Sequence, residues 1–202
     1  MRNNIIVIVK FEHMEILWAP WRMNYILGPK PDSCIFCIEK NPVDEKYDEE
    51  RGILYRGEHA FVVMNKFPYN NGHLLVAPYR HTADFAGLAR EESQECMRIM
   101  QLCAEILTKA LHPDGINMGL NLGEAAGAGV RQHLHFHLVP RWNGDSSFMP
   151  VCGETRIMPQ LLADTYHALK PHFDAALKSE KASSNICTAK ALNATMAGFY
   201  GA

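Results

Sequence analysis

The chain has 202 residues, of which 48% are hydrophobic, and a formal net charge of −2. This length suits one domain with extensions, and the hydrophobic content is sufficient for a core. The charge does not indicate a protein that binds nucleic acid or a membrane surface, and no apolar stretch approaches the roughly 18 residues of a membrane span. Six cysteines in a chain of this size do not indicate a disulfide scaffold, so we expect a protein of the reducing cytoplasm.

The first 27 residues contain two features that we treat as additions to the domain. Residues 1–13 include a run of five apolar residues, too short for a signal peptide, so we expect an N-terminal extension with translation starting at Met1 or Met14. Residues 16–27 are rich in aromatic side chains. They predict an arm that packs on the domain, or that lines a ligand pocket or an interface between subunits.

A Cys-x-x-Cys pair, Cys34 and Cys37, follows a proline-rich turn. Two cysteines at this spacing form one half of a structural zinc site. Since no second Cys-x-x-Cys occurs in the sequence, histidines would have to supply the other two ligands. A redox motif is the alternative, but the sequence around the pair has no thioredoxin-like pattern. A pair without a metal is a third interpretation.

The next part of the chain predicts antiparallel strands. Residues 41–52 are strongly charged and predict a solvated loop. Two extended apolar segments, 53–55 and 60–64, flank a Gly-Glu-His turn and predict a hairpin. Residues 74–77 predict a buried strand that is ended by Pro78. Three strands with short polar connections indicate an antiparallel meander.

Two helices are predicted in the remainder of the chain. The clearer one covers residues 91–111, where one apolar stripe recurs at three- and four-residue intervals: Met97, Met100, Cys103, Ala104, Leu107 and Leu111. A strand is predicted over residues 115–121. The second helix covers residues 161–177, with Leu162, Thr165, Tyr166 and Leu169 on one face and a kink or break at Pro171. Residues 179–202 are small and polar, and predict a tail that is mobile or docked elsewhere.

Three of the ten histidines, His133, His135 and His137, alternate with large apolar residues. In an extended strand alternate residues share one face, so the three imidazoles would lie together. Buried imidazoles need polar partners, which favours a functional site over simple packing. The site could hold a metal or a phosphate, with imidazole as nucleophile or acid. The glycine-rich residues 121–129 just upstream favour phosphate, because glycine allows successive N–H groups to face an anion.

The segment His-x-His-x-His, followed by two apolar residues and Pro140-Arg141, resembles the signature of the histidine triad (HIT) superfamily of nucleotidyl hydrolases and transferases. Residues 65–78 resemble a second HIT segment, and residues 17–23 and 144–148 resemble the branch of diadenosine tetraphosphate phosphorylases. The likeness covers roughly residues 14–178. It implies an α+β fold, HIT-like, with a mainly antiparallel sheet of about five strands and helices packed on one side. The implied catalytic domain, 14–178, lies between the extension 1–13 and the tail 179–202, and HIT proteins commonly form homodimers.

The resemblance also implies roles for individual residues. His135 would attack the α-phosphorus of a dinucleoside polyphosphate and form a nucleotidyl-histidine. His137 would donate to the phosphate and leaving-group oxygens. His73 would be a hydrogen-bonding partner of the triad histidines. The backbone N–H groups of the glycine loop would hold the phosphate oxygens. The residues expected to bind the substrate are Asn65, Asn121, Gly127, Ala128 and Gly129.

Resemblance to zinc-bearing HIT proteins completes the candidate metal site with His81 and His133, beside Cys34 and Cys37. Four protein ligands leave no open coordination position, so this zinc would be structural. It would attach the N-terminal segment to the sheet next to the triad. We expect no organic cofactor.

Three functions remain open from the sequence. The first is an AMP-transferring enzyme that cleaves diadenosine polyphosphates with phosphate or water; Gly129 stands where the phosphorylase branch typically has a serine, which favours water. The second is a hydrolase of adenosine 5′-phosphoramidates. The third is a zinc-stabilised module that binds nucleotides without catalysis. A catalytic metal on the three histidines is a weaker alternative, because it gives the glycine loop and Asn65 no role.

Overall fold

The computed structural model of the chain describes residues 34–40, 44–145 and 160–197, with side chains described as far as Glu180. The expected N-terminal extension, the aromatic arm and the last part of the 144–148 motif lie outside these residues. Within them, no helix is long and apolar enough to cross a bilayer.

The first described helix, α1 (Glu45–Arg51), lies where the sequence predicted a solvated loop. The Asp44 carboxylate accepts hydrogen bonds from the N–H groups of Lys46 and Tyr47, at 3.0 and 3.2 Å, and so caps the helix. Gly52, with φ of 77°, ends it in the left-handed conformation that glycine adopts easily. The loop prediction was wrong for these residues because caps at both ends stabilise one short helix in a charged segment.

Five strands form one antiparallel sheet in the order β1-β2-β3-β5-β4. They are β1 (Ile53–Arg56), β2 (Ala60–Met64), β3 (Leu74–Pro78), β4 (Gly115–Leu120) and β5 (Phe136–Arg141). The predicted hairpin joins β1 to β2, and the N–H of Gly57 donates to the carbonyl of Ala60 at 2.8 Å. Strand β5 pairs with both β3 and β4, which places the end of the histidine segment in the middle of the sheet.

Helix α2 (Arg90–Leu111) matches the predicted helix, and Met100, Cys103 and Leu107 of the predicted stripe are buried, whereas the start of the stripe is one position off. Met97 is 55% exposed and does not belong to the core. The residues that face the sheet are Cys96, Ile99, Met100, Cys103, Ile106 and Leu107. Neighbouring helix positions differ by about 100° in direction, so a stripe assigned one residue off moves a side chain from the core to solvent.

Helix α3 (Leu162–Ala197) continues through Pro171 and past the predicted end at residue 177. Thr165, Tyr166 and Leu169 precede the proline and Phe173 follows it, and all four are at most 6% exposed. Burial on both sides of Pro171 stabilises a continuous helix despite the missing N–H donor. Leu162, predicted on the buried face, is 39% exposed. The backbone of residues 179–197 is helical.

The two faces of the sheet are covered differently. Helices α2 and α3 pack on one face and form the main core with apolar side chains of β1, β2, β3 and β5. The other face carries a smaller cluster of Phe36, Phe61, Leu75 and Ala77. His137 pairs with Leu75 across β5 and β3, so the triad lies on this second face. This arrangement confirms the α+β fold with helices α2 and α3 on one side of a five-stranded sheet.

Candidate active site

The three histidines do not all belong to one strand, because β5 begins at Phe136. His133 lies at a bend, and His135 lies between that bend and the start of the strand. There the N–H of Leu134 donates to the carbonyl of Thr82 at 2.8 Å, a bond outside the sheet. The expected shared face holds for His135 and His137, whose rings lie 4.9 Å apart. His133 and His135 are 0% and 6% exposed.

The ring of His135 is oriented by the backbone. Its Nδ1 lies 2.9 Å from the carbonyl oxygen of His133, and a carbonyl can only accept, so Nδ1 carries the proton and donates. Burial lowers the pKa of His135, although the hydrogen bond to His133 opposes this shift. A neutral ring with its proton on Nδ1 has a lone pair on Nε2. His135 Nε2 therefore presents a lone pair in the neutral ring.

A second set of hydrogen bonds orients His137. The backbone N–H of Tyr69 donates to Nδ1 of His73 at 3.0 Å, so the proton of a neutral His73 is on Nε2. This Nε2 lies 2.9 Å from Nδ1 of His137 and donates to it. A neutral His137 then carries its proton on Nε2, where it can be donated. Burial, and then the neighbouring His135, lower the pKa of His137 to about 4.

The candidate metal ligands form one cluster. One donor atom from each of Cys34, Cys37, His81 and His133 lies within 4.8 Å of the others. Sγ of Cys34 is 3.5 Å from Nδ1 of His133, and Sγ of Cys37 is 3.2 Å from Nδ1 of His81.

The donors of this cluster suit zinc. Nε2 of His133 donates to the carbonyl of Pro78 at 2.8 Å, so its Nδ1 presents a lone pair toward the thiols. Burial, and then the neighbouring Cys34, raise the pKa of the Cys37 thiol in the absence of a metal. A bound cation would reverse that shift by favouring the thiolate. Two thiols and two imidazoles are a donor set that Zn²⁺ prefers.

The structure places Asn65 beside His73 and Asn121 beside the glycine loop. The side-chain amide nitrogen of Asn65 is 3.3 Å from Nδ1 of His73, and its oxygen accepts from the N–H of Phe67 at 2.9 Å. A Cβ placed on Gly127 would lie 4.0 Å from the amide nitrogen of Asn121, so Asn121 borders the glycine loop.

The glycine loop is closed by its own hydrogen bonds. The N–H of Gly127 donates to the carbonyl of Glu124 at 2.9 Å, and that of Ala128 donates to the carbonyl of Gly123 at 3.1 Å. Gly127 has a φ of 86°, which explains why glycine is favoured there. Phosphate binding by the N–H groups of Gly127, Ala128 and Gly129 stays a prediction, and for the first two it requires these turn bonds to open.

Two aromatic residues at the site were missed by the sequence analysis. The ring of Phe36 lies 4.6 Å from that of His135, and the ring of Tyr69 stacks on His137 at 5.8 Å with an angle of 11°. Both belong to segments that were singled out, the cysteine pair and the segment 65–78. An aromatic residue in such a segment resembles any core residue, so the sequence carried no signal for its position at the triad.

Comparisons with known proteins show what the chain is similar to. The family model of the HIT domain matches residues 47–144. The AP-4-A phosphorylase of Mycobacterium tuberculosis is 38% identical over 163 residues, which cover 78% of this chain and 84% of that protein. A bis(5′-adenosyl)-triphosphatase of Saccharomyces cerevisiae is 31% identical over 91 residues, 45% of this chain and 44% of that protein.

A solved structure is also similar. The zinc-bound histidine triad family protein from Mycobacterium smegmatis superimposes with a TM-score of 0.56 at 31% identity. The match covers 73% of this chain and 97% of that chain. Since the M. tuberculosis relative passes 30% identity over most of its length, the likeness extends well beyond the histidine motif. The chain therefore belongs to the HIT family of nucleotide hydrolases and transferases.

Proposed function

We propose that this protein cleaves diadenosine polyphosphates by transferring AMP through a covalent intermediate on His135. The observation that carries the proposal is the tautomer of His135, whose Nδ1–H donates to the carbonyl of His133 and leaves a lone pair on Nε2. Similarity to an AP-4-A phosphorylase over 163 residues supports diadenosine tetraphosphate as the substrate.

The reaction proceeds in two displacements. In the first, Nε2 of His135 forms a bond to the α-phosphorus, and the bond from that phosphorus to the bridging oxygen breaks, so that ATP leaves diadenosine tetraphosphate. In the second, an acceptor oxygen attacks the same phosphorus and the bond to Nε2 breaks. The covalent intermediate divides one difficult displacement into two easier ones.

His137 and His73 assist both displacements. The Nε2–H of His137 donates to phosphate or leaving-group oxygens on which negative charge develops. His73 holds that proton on Nε2 of His137, because its own Nε2–H occupies Nδ1 of His137 at 2.9 Å. The lowered pKa of His137 keeps its imidazole neutral at pH 7, so that its Nε2–H is available as a donor.

The substrate is positioned by the residues that surround the triad. Asn65 and Asn121 hydrogen-bond the ribose hydroxyls or the phosphate groups. The N–H groups of Gly127, Ala128 and Gly129 accommodate the non-bridging oxygens once the loop has opened its turn bonds.

The acceptor in the second displacement is phosphate or water. Phosphate gives ADP and ATP from diadenosine tetraphosphate, and the similarity to a phosphorylase supports it. Water gives AMP and ATP, and the absence of a hydroxyl at Gly129 supports it. The products distinguish the two.

The cluster of Cys34, Cys37, His81 and His133 holds Zn²⁺ in this proposal. The similarity to a zinc-bound histidine triad family protein supports the identity of the metal. With four protein ligands, the ion would stabilise the fold around the triad. Two free thiols in the cluster suit the reducing cytoplasm.

We also propose a homodimer. Strand β4 lies at the edge of the sheet and is largely exposed, including Met118 at 53%. Among the described residues no strand pairs with the outer side of β4. An edge strand with exposed apolar side chains is a surface on which another strand can pair, and a second copy of the chain is the simplest partner.

The test is to trap the intermediate. The protein is mixed with diadenosine tetraphosphate, quenched within one turnover and digested, and the peptide that contains residues 133–141 is analysed by mass spectrometry. We expect AMP on His135 and none in His135→Ala, which should also lose activity. His167→Ala is the matched control, because His167 is 61% exposed and pairs with Glu49 away from the triad. Full activity of His135→Ala would refute the proposal.

Two alternatives are separated by a substrate panel. Faster turnover of adenosine 5′-phosphoramidate than of diadenosine tetraphosphate would make the protein a phosphoramidate hydrolase that uses the same intermediate. Nucleotide binding with no turnover and no adduct on any substrate would make it a binding module.

A further inference from the structure

The metal cluster and the nucleophile are connected through the side chain of Phe36. We propose that the metal site also positions the nucleophile, and that Phe36 is a positioning residue for His135. This inference rests on the function proposed above and gives the metal a role in catalysis without any contact to the substrate.

The first observation is the turn between the two cysteines. The N–H of Cys37 donates to the carbonyl of Cys34 at 3.1 Å, which closes the turn. Phe36 within it is 3% exposed, and its ring lies 4.6 Å from the ring of His135 at an angle of 32°. Ile35, its neighbour in the turn, is 43% exposed. The turn therefore directs one apolar side chain onto the nucleophile and the other toward solvent.

The second observation concerns His133. Its imidazole belongs to the metal cluster, and its backbone carbonyl accepts the hydrogen bond from Nδ1 of His135 at 2.9 Å. Its ring also packs on Phe36, with the centroids 5.5 Å apart. The ring of His135 is thus held at one edge by the carbonyl of one metal ligand. One face of the His135 ring packs on Phe36, which lies between Cys34 and Cys37 in the chain.

The third observation is how the segment 34–40 is attached. It contains no helix or strand. Within the described residues it is attached by Phe36 in the smaller cluster, by Cys34 and Ile38 packed against that cluster, and by Arg56, which donates to the carbonyls of Glu39 and Lys40 at 2.5 and 3.4 Å. Sγ of Cys34 and Sγ of Cys37 also lie close to Nδ1 of His133 and of His81. Bonds from a metal to Cys34 and Cys37 would fix both ends of the turn that carries Phe36.

These contacts have a consequence for catalysis. A displacement of about 1 Å in a reacting group can lower a rate by about 100-fold, even when the change lies outside the reacting atoms. Loss of the metal would free the turn that carries Phe36, and loss of the Phe36 ring removes a contact to one face of His135. We therefore expect a lower rate of AMP transfer to His135, with unchanged substrate affinity.

The kinetic test compares Phe36→Ala, Phe36→Leu and the matched control Ile35→Ala. We measure bound zinc per chain, KM, and the single-turnover rate at which AMP appears on His135. We expect Phe36→Ala to retain zinc and KM while the transfer rate falls about tenfold or more. Phe36→Leu, which keeps part of the apolar contact, should recover part of the rate, and Ile35→Ala should match the wild type. An unchanged rate in Phe36→Ala with zinc bound would overturn the inference. A raised KM at an unchanged rate would also overturn it, since Phe36 would then act on the substrate.

A second measurement needs no substrate. In protein labelled with ¹⁵N-histidine, the Nδ1–H signal of His135 reports its hydrogen bond to the carbonyl of His133. We expect a sharp, slowly exchanging signal in the zinc-loaded wild type and in Ile35→Ala, and a broadened or lost signal in Phe36→Ala and after removal of zinc. The same signal in all four samples would contradict the coupling. If the wild type forms no adduct, the proposed function fails, and this measurement still decides whether the metal site positions His135.

Discussion

Replacement of His73 by phenylalanine tests the hydrogen bonds that orient His137. Phenylalanine keeps an aromatic ring at this 1% exposed position but removes both nitrogens. The N–H of Tyr69 then loses its acceptor at 3.0 Å, and Nδ1 of His137 loses its donor at 2.9 Å. A buried polar group without a partner costs about 1–3 kcal/mol. If that cost falls on the transition state, the rate decreases by about 5- to 150-fold.

The assay is the single-turnover rate of AMP transfer to His135 from diadenosine tetraphosphate, measured below the melting temperature of each variant. We expect His73→Phe to lower this rate without a matching rise in KM. His73→Gln, whose side-chain amide can donate to His137, should recover part of it. His167→Phe on the exposed face of α3 serves as the control. A wild-type rate in His73→Phe would refute the tautomer argument.

Three further predictions concern pH, metal and the fold. The pKa of His137 is lowered to about 4, so protonation of His137 favours the unfolded chain. The free energy of unfolding should therefore fall as the pH drops from about 6.5 toward 4. His137→Phe should show a smaller fall at matched zinc occupancy. Removal of zinc by a chelator should lower the melting temperature, by an amount equivalent to about 4 kcal/mol when free zinc had been 1,000-fold above its Kd. Zinc should restore it in the wild type but not in Cys34→Ser. Arg56→Leu leaves the carboxylate of Asp48, 8% exposed, without its ion-pair partner, and should destabilise the protein by about 3 kcal/mol in urea unfolding. Lys109→Met, at an exposed ion pair, should change stability little.

The parts of the fold that could be predicted are those in which local patterns and burial agree. The hairpin from Ile53 to Met64 has short apolar strands on both sides of a glycine turn. Helix α2 has a long apolar stripe with acidic residues at its start. For the cysteine pair, resemblance to zinc-bearing HIT proteins indicated the two histidines, and the structure brings the four donor atoms within 4.8 Å of one another.

The differences come from contacts that a sequence pattern does not contain. Helix α1 depends on the cap at Asp44 and on the left-handed Gly52, both within a segment whose charge suggested a loop. Strand β5 starts at Phe136 because the N–H of Leu134 is used by Thr82. The exposure of Met97 was set by the direction in which α2 faces the sheet.

The candidate site, like the fold, could be predicted only in part. Alternating histidines predicted a shared face, whereas the tautomers of His73, His135 and His137 follow from partners that only the structure supplies. One of these partners is the carbonyl of His133, and another is the N–H of Tyr69. The position of Phe36 on the nucleophile is a long-range contact of this kind, because about 100 residues separate it from His135.

The most direct test of the account is to incubate the purified protein with diadenosine tetraphosphate, with and without inorganic phosphate, and to separate the products. Attack of His135 on the α-phosphorus predicts ATP as one product. The other product should be ADP when phosphate accepts the AMP and AMP when water accepts it. Two molecules of ADP without phosphate would mean symmetrical cleavage, and would contradict transfer of AMP through His135, as would the absence of any cleavage.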